Sequence, residues 1–175
     1  MGLQNKFGPD GKVDKHKSRL VSKGFSQVEG IDYTGTFSHV AKMNSICLIL
    51  SLVASFKWEV HQMAVKSAFF HGELHEETYM EQPSFFIQTY SSLVCQLKKS
   101  LYGIKQAPQA WYTKMDNFLL DTRFSRESLY TKKVGKSLII LVLYFDDIIL
   151  TGSDPNLRNH VKSSLKKKFE MIDLE

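Results

Sequence analysis

The stretch Leu138–Gly152, LIILVLYFDDIILTG, restricts the possible folds of this chain more than any other. An apolar run, Leu138–Phe145, reaches the adjacent acids Asp146 and Asp147, and a second apolar run follows them. The apolar residues show no helical spacing and are rich in Ile, Val, Leu and Tyr, which predicts two strands buried on at least one face. Because Asp is common in turns, the two acids are predicted to lie at the tip of a tight hairpin.

Two carboxylates between apolar strands are costly unless another group compensates their charge. A divalent cation is the usual compensation, since hard oxygen ligands suit Mg2+. From this stretch alone, a solvated Asp-Asp turn explains the pattern equally well.

Composition sets the outer limits of the interpretation. A chain of 175 residues with 43% hydrophobic and 23% charged residues is typical of one globular domain or two small lobes. The apolar runs are too short to span a bilayer, and the polar, Gly-rich start is not a signal peptide. Cys47 and Cys95 match no metal or redox spacing, so we expect a reduced intracellular protein, cytoplasmic or nuclear. The net charge of +5 permits a polyanionic partner.

A basic segment, Lys15–Gly24, follows a turn signal at Gly8–Gly11 and predicts a short strand or hairpin arm with Lys17 and Arg19 on one side. Such an arm can grip phosphates, but an exposed edge strand also carries Lys to avoid pairing with a neighbour. Both explanations remain open at this point.

Three helices and several short strands are predicted from the remaining chain. Asn44 is expected to cap an apolar core helix that runs to about Phe56. A second helix runs to about Asp121, and a third begins near Pro155. Short strands are predicted at Trp58–Val65, Thr78–Gln82, Val94–Leu97 and Glu127–Lys133, an exposed acidic connection at Glu73–Glu77, and a basic loop at Lys98–Gln109. This mixture favours an α+β fold with a largely antiparallel sheet that helices cover on one face.

Four ordered blocks closely resemble the reverse transcriptase of copia-type LTR retrotransposons. They read KSRLVSKGFSQVEGIDYTGTFSHVAKMNSI, WEVHQMAVKSAFFHGELHEETYMEQP, VCQLKKSLYGIKQAPQAWY and SLIILVLYFDDIILTGSD. The resemblance implies a right-hand polymerase fold, with fingers at about 1–40 and parts of 72–105 and a palm at about 41–71 and 106–175. We expect a truncated fragment, without the rest of the palm, the thumb-like region and RNase H.

The resemblance also implies the chemistry, which is template-directed addition of deoxynucleotides to a primer on an RNA or DNA template, with two Mg2+ ions per site. It makes Asp146 and Asp147 the catalytic and metal-binding residues, with Asp146 as the ligand and Asp147 as its supporting neighbour. The implied nucleotide-binding residues are Lys17 and Arg19 toward the triphosphate, Phe69 against the ribose 2′-OH, Gln106, Tyr144 and Phe145. Residues expected to contact the nucleic-acid backbone are Lys98, Lys99, Lys105, Arg158 and Lys162. A solvated face is the other explanation for the basic stripe of the last helix.

One departure from the family pattern outweighs the others. Where the family has a third catalytic aspartate, in H-Q-M-D-V-K-S-A-F, this chain has Ala64. Glu59 and His61 have the wrong strand parity to replace it, and Lys66 carries the wrong charge. Loss of a metal ligand is expected to cost about a thousandfold or more in rate.

Three functional hypotheses therefore stand beside one another. The chain could be an RNA-directed DNA polymerase domain with impaired activity, or a nucleic-acid-binding remnant without catalysis. It could also be a functionless retrotransposon relic, which would expose apolar surface that a complete polymerase buries.

Overall fold

In the residues that the structure describes, hydrogen-bonded strands form three antiparallel sheets. The computed structural model describes residues 2–36, 38–83, 86 and 92–174, without the side chains of residues 2, 3 and 17. The chain divides into two compact units. The first unit is Met1–Phe37 with Phe69–Trp111, and the second is Ser38–Ala68 with Tyr112–Glu175.

The first unit contains two β-hairpins. Strands β1 (Gly2–Phe7) and β2 (Val13–Arg19) pair around a turn in which Gly11 has a φ of +72°, a left-handed conformation that favours glycine. The predicted basic strand is confirmed by β2. Strands β4 (Glu73–Glu81) and β5 (Val94–Lys99) form the other hairpin.

Two predictions in this unit are wrong. The acidic segment 73–77 is the first half of β4 instead of a connection, and its residues alternate between exposed and half-buried as strand residues do. Lys98 and Lys99 end β5 instead of opening a loop. In both places the charged residues suggest a loop. They lie in strands, because a hairpin with one face exposed to solvent can carry charged side chains on that face.

The second unit is built on a six-stranded antiparallel sheet in the order β10-β3-β9-β8-β7-β6. The strands are β3 (Val60–Val65), β6 (Ser125–Arg126), β7 (Tyr130–Val134), β8 (Ser137–Tyr144), β9 (Asp147–Gly152) and β10 (Met171–Asp173). Strands β8 and β9 are joined by two residues, so the predicted hairpin with the acids at its tip is confirmed.

Helices cover both faces of this sheet, so the prediction of helices on one face only is wrong. Helix α1 (Met43–Phe56) packs through Ile49 against Ile140 and Val142. On the other face, Tyr130 of β7 is paired with Leu141, and its hydroxyl donates to Asp116 of helix α2 (Ala107–Asp121) at 2.8 Å. The continuous apolar run of β8 reflects this double coverage, since both parities of the strand are buried.

Helix α1 differs from its prediction in two ways. Its N-cap is Lys42, whose carbonyl oxygen accepts from the N–H groups of Ser45 and Ile46, so Asn44 lies inside the helix and does not cap it. Only Ile49 is buried among its residues, because a helix on a sheet buries one stripe; Leu48, Leu50 and Phe56 are exposed. The predicted core helix thus contributes one stripe to the core and is exposed on its other sides.

Helix α3 (Pro155–Lys168) begins as predicted. The Asp154 carboxylate accepts from the N–H groups of Asn156 and Leu157 at 2.9 and 3.1 Å, and Pro155 occupies the first turn. Within the described ranges, no helix combines the length and apolar character needed to span a membrane.

Candidate active site

The turn at the tip of β8–β9 has an unusual backbone. Tyr144 pairs with Asp147, which leaves Phe145 and Asp146 as the two turn residues. Phe145 has a φ of +54°, whereas Asp146 is not among the residues with positive φ. A positive φ at the first turn position alone is the pattern of a type II′ turn, where glycine is the usual residue. A bulky side chain in this position is strained, and such strain is frequent at functional sites.

Residue 64 lies directly beside this turn. In the register of β3 and β9, Ala64 is opposite Asp147, and the Val65 N–H donates to the Asp146 carbonyl oxygen at 2.8 Å. Pairs in an antiparallel ladder alternate, so the 64–147 pair is the non-hydrogen-bonded kind, with Cα atoms about 4.5 Å apart and side chains on one face. The methyl group of Ala64 therefore occupies the place beside the Asp147 carboxylate.

The two acids of the turn have different surroundings. Asp146 is exposed, whereas Asp147 is half-buried. Burial raises the pKa of Asp147, and the nearby negative charge of Asp146 raises that pKa further. Both effects disfavour a second carboxylate charge, and a bound cation would reverse them. The donor chemistry of the pair thus fits a hard divalent cation, although in the part of the chain that the structure describes no three His, Cys, Asp or Glu side chains group as a metal site.

The other acids around β3 are engaged elsewhere. Glu170 is opposite Lys66, whose backbone N–H and ammonium both donate to it, at 2.8 and 2.6 Å. Asp173 is paired with Met63, so its side chain lies on the face opposite that of Ala64, where Lys166 donates to it. No acid in these register positions replaces the carboxylate at residue 64.

Two aromatic rings flank the acids. The rings of Tyr144 and Phe145 meet edge to face with centroids 5.1 Å apart. Their exposed fractions are 40% and 45%, so both are accessible to a ligand at the turn. The structure thus brings together five of the positions that the sequence singled out: Ala64, Tyr144, Phe145, Asp146 and Asp147.

A second group of predicted residues meets within the first unit. Phe69 lies in a short 3-10 helix, Ala68–His71, and its ring centroid is 4.8 Å from that of Tyr102. The Arg19 guanidinium carbon lies 5.8 Å from the centroid of the same Tyr102 ring. Lys17 lies in β2, but its side chain is outside the described part of the structure. Sequence reasoning missed Tyr102, for which an aromatic residue beside the glycine of the LYG segment was the available signal.

Gln106, which was predicted to contact the nucleotide, has a buried side chain with protein partners. Its side chain is only 4% exposed, and its amide donates to the Thr78 hydroxyl at 3.3 Å and to the Asp32 carbonyl at 3.4 Å. The Gln27 amide donates to the Gln106 carbonyl oxygen at 3.1 Å. These protein partners satisfy the carboxamide, so Gln106 acts as a structural link within the first unit.

The two α3 residues predicted to contact the nucleic-acid backbone, Arg158 and Lys162, have acidic partners within the chain. Arg158 is 2% exposed; it donates to the Gly152 carbonyl at 3.0 Å and forms an ion pair with Glu59. Lys162 lies 3.3 Å from Asp173, and its side chain is largely buried. Basic residues next to the buried stripe of a helix can form internal ion pairs when acidic residues lie opposite them. By contrast, Lys98, Lys99 and Lys105 are exposed.

Comparison with known proteins identifies relatives over nearly the whole chain. The model of the family described as reverse transcriptase (RNA-dependent DNA polymerase) matches residues 4–175. The chain is 47% identical over 171 residues to the retrovirus-related Pol polyprotein from transposon TNT 1-94 of Nicotiana tabacum, and 41% identical over 175 residues to that from transposon RE1 of Arabidopsis thaliana. These matches cover 94% and 97% of this chain.

The chain spans only 13% and 12% of the length of those two polyproteins. A truncated transposon Ty1-A Gag-Pol polyprotein of Saccharomyces cerevisiae is 29% identical over 156 residues, which are 89% of this chain and 13% of that protein. No solved structure matches the chain. The chain therefore belongs to the reverse transcriptase family, and its relatives are the Pol polyproteins of copia-type retrotransposons.

Proposed function

We propose that this chain is the fingers and palm of an RNA-directed DNA polymerase in which nucleotidyl transfer is impaired. Reverse transcriptases bind a nucleic-acid template–primer and deoxynucleotides and use a divalent metal. In this proposal the fingers comprise about 1–40 with parts of 72–105, and the palm comprises about 41–71 and 106–175. The observation that carries the proposal is the pairing of Ala64 with Asp147, beside the acidic turn.

Asp146 and Asp147 are the residues that would hold the metal, which we propose to be Mg2+. Their oxygen donors suit it, and a cation beside them would offset the burial and the Asp146 charge that raise the pKa of Asp147. When bound, the metal would supply positive charge for the primer 3′ hydroxyl and the departing pyrophosphate. The two carboxylates contribute by fixing where that charge lies.

The remaining proposed roles concern nucleotide binding. They belong to two exposed rings beside the acidic turn and to residues of the first unit. Tyr144 and Phe145 support the primer terminus and the incoming nucleotide with exposed rings. Phe69 crowds the position of a ribose 2′-OH, which selects deoxynucleotides. Arg19, with Lys17 beside it in β2, pairs with triphosphate oxygens, for which guanidinium and ammonium donors are suited.

The impairment follows from what alanine lacks. A methyl group donates no oxygen, and the described acids nearest to residue 64 in the sheet register are engaged with lysines or lie on the other face. The site therefore holds one charge fewer than the family pattern provides for two dications. Loss of such a ligand is expected to lower the rate about a thousandfold or more, since each tenfold corresponds to about 1.4 kcal/mol.

Primer extension on an RNA template with Mg2+ or Mn2+ tests this proposal. We expect negligible synthesis by the unmodified chain and a gain of about a thousandfold for Ala64→Asp. Ala64→Asn is the matched control, because it adds a side chain of the same size without the charge and should not restore synthesis. Robust synthesis by the unmodified chain would refute the impairment, and no gain from Ala64→Asp would place the main defect elsewhere.

Nucleic-acid binding without catalysis is the second candidate function. Lys98 and Lys99 at the end of β5 and Lys105 before α2 are exposed. A chain with this function binds a template–primer but gains no synthesis from Ala64→Asp. The two candidates are therefore separated by the same pair of proteins, assayed for binding and for extension.

A further inference from the structure

Tyr102 occupies a position in the first unit that the proposed function leaves unexplained. Its ring centroid lies 4.8 Å from that of Phe69 at an interplanar angle of 60°, and 5.6 Å from that of Phe70 at 88°. The guanidinium carbon of Arg19 lies 5.8 Å from the same ring centroid, within cation–π distance. One ring therefore contacts both the residue proposed to meet the sugar and the residue proposed to meet the triphosphate.

The backbone around Tyr102 is held in place by the segment that follows β2. The Ser22 N–H donates to the Tyr102 carbonyl oxygen at 2.8 Å. Gly103 has a φ of +98°, and a Cβ added there would clash with the Ser22 carbonyl oxygen. The close approach and the left-handed backbone both require glycine, so the position of the Tyr102 ring is fixed relative to the end of β2.

Phe69 is fixed on its own side of this contact. Its carbonyl oxygen accepts from the Gly72 N–H at 3.1 Å and from the Ser100 hydroxyl. Ser100 is buried, and its own N–H donates to the Gly72 carbonyl at 3.0 Å. The backbone of the Ala68–His71 helix is therefore anchored, and the Tyr102 ring restricts the remaining freedom of the Phe69 side chain.

Arg19 is the exposed partner in this arrangement. It is exposed at the end of β2, and long cationic side chains lose considerable conformational freedom when they bind a phosphate. An aromatic face that already holds the guanidinium in one region lowers this cost before the ligand arrives.

We propose that Tyr102 is a positioning residue that couples sugar discrimination to triphosphate binding, through simultaneous contact with Phe69 and Arg19. This inference rests on the proposed function, since it takes the roles of those two residues from it. In this proposal Tyr102 acts only through these two side chains. The ligand class is a deoxynucleoside triphosphate, and the effect is on both its affinity and its preference over the ribonucleotide.

The test uses the full chain with Ala64→Asp, bound to an RNA template with a DNA primer that ends in a dideoxynucleotide. The next complementary dNTP or rNTP is titrated in the presence of Mg2+, and formation of the stable ternary complex gives the two dissociation constants without any chemical step. Tyr102→Leu removes the ring, and Tyr102→Phe is the matched control that keeps it. Circular dichroism and the urea midpoint establish that both variants are folded.

We expect Tyr102→Leu to weaken dNTP binding about fivefold and to lower the preference for dNTP over rNTP about threefold, with Tyr102→Phe close to the parent. In an Arg19→Met background, Tyr102→Leu should no longer weaken dNTP binding but should still lower the sugar preference. A merely structural role would change both nucleotides equally and leave that preference unchanged.

Two results would overturn the inference alone. One is an unchanged dNTP affinity and sugar preference in folded Tyr102→Leu, and the other is a Tyr102→Phe variant as impaired as Tyr102→Leu. If the Ala64→Asp parent forms a nucleic-acid complex but takes up neither nucleotide, the proposed function fails and the inference fails with it. That outcome is recognised because it appears in the parent.

Discussion

Phe145 shows how a single residue can be held in a backbone conformation that its side chain disfavours. Its positive φ lies at the first position of a two-residue turn, between strands whose other residues are largely buried. Pairing of the two strands imposes the turn conformation, and Phe145 adopts it although its side chain disfavours it. Because the ring is about half exposed, it contributes little to packing that could compensate for this cost.

Phe145→Gly is therefore expected to stabilise the chain. Glycine relieves the left-handed strain, and we expect the free energy of unfolding to rise by about 1 kcal/mol in urea denaturation. Phe25→Gly is the control, since Phe25 is also exposed but has no positive φ, and it should be neutral or destabilising. Equal destabilisation by both substitutions would show that the turn is not strained.

The position of residue 64 leads to a prediction about stability that needs no activity assay. Ala64→Asp places a third carboxylate beside Asp147, and like charges in opposite strand positions are destabilising. Without divalent ions we expect the free energy of unfolding to fall by about 0.5–1 kcal/mol. Added Mg2+ should raise the melting temperature of this variant more than that of the unmodified chain or of Ala64→Asn. An equal response of all three proteins would show that a carboxylate at residue 64 does not contribute to metal binding.

For single residues, the sequence predicted the positions that depend on local patterns alone. The acids at the hairpin tip and the vacancy opposite them both follow from strand parity and the family motif. Gln106 and Arg158 could not be predicted in the same way, because their burial depends on partners distant in the chain, Gln27 and Glu59. A charged residue that is exposed and one that is buried in an ion pair have the same local sequence pattern when the partner is distant in the chain.

Among the elements, helix α3 has the clearest local code. Asp154 caps its N-terminus through two N–H groups, and the Ser137 hydroxyl donates to the same carboxylate at 3.0 Å. These hydrogen bonds, above all that from Leu157, lower the pKa of Asp154. Asp154 therefore joins the start of α3 to the start of β8.

Asp154→Ala is expected to lower the urea midpoint by roughly 0.5 M at neutral pH, because it removes the cap. The contribution of the ionised carboxylate should be fully present above the unfolded-state pKa, near 3.8, and be lost as the pH falls through the lower folded-state pKa. Midpoints measured at several pH values test this. The difference between parent and variant should shrink only in the acidic range, and a difference that shrinks already near pH 6 would contradict the assignment.

Helix α1 shows where element-level prediction stops. Its residues are apolar nearly all round and predicted a core helix, but a helix that lies on one face of a sheet buries only the stripe that meets the strands. Its start was misplaced by the Asn44 side chain, whereas Lys42 provides the cap through its backbone alone. Composition revealed that the helix exists, but only tertiary packing determines which of its sides is covered.

For the whole molecule, the distribution of exposed charge predicts how nucleic acid would bind. The double substitution Lys98→Ala/Lys99→Ala should weaken template–primer binding and reduce the slope of log K against log salt by about 1–2. Lys167→Ala/Lys168→Ala on α3 removes the same charge from other exposed positions and should leave the slope nearly unchanged. Equal reductions by both pairs would indicate diffuse attraction without a defined contact surface.

The fold class was predictable because short sequence patterns indicate the antiparallel hairpins and the amphipathic helices. The order of the six strands was not, because β3 lies between β9 and β10, which are far from it in sequence. Coverage of both sheet faces also escaped prediction, since it requires knowing that α1 and α2 lie on opposite sides.

The pairing of Ala64 with Asp147 separates folding from chemistry. The sheet is stabilised by the apolar residues that lie between its strands and helices, and a methyl group next to Asp147 removes repulsion instead of packing. A copy that has lost this oxygen donor should consequently fold as well as an intact one. Under the proposed function, such a copy would bind primer ends that it extends poorly, and would compete for them with an intact polymerase.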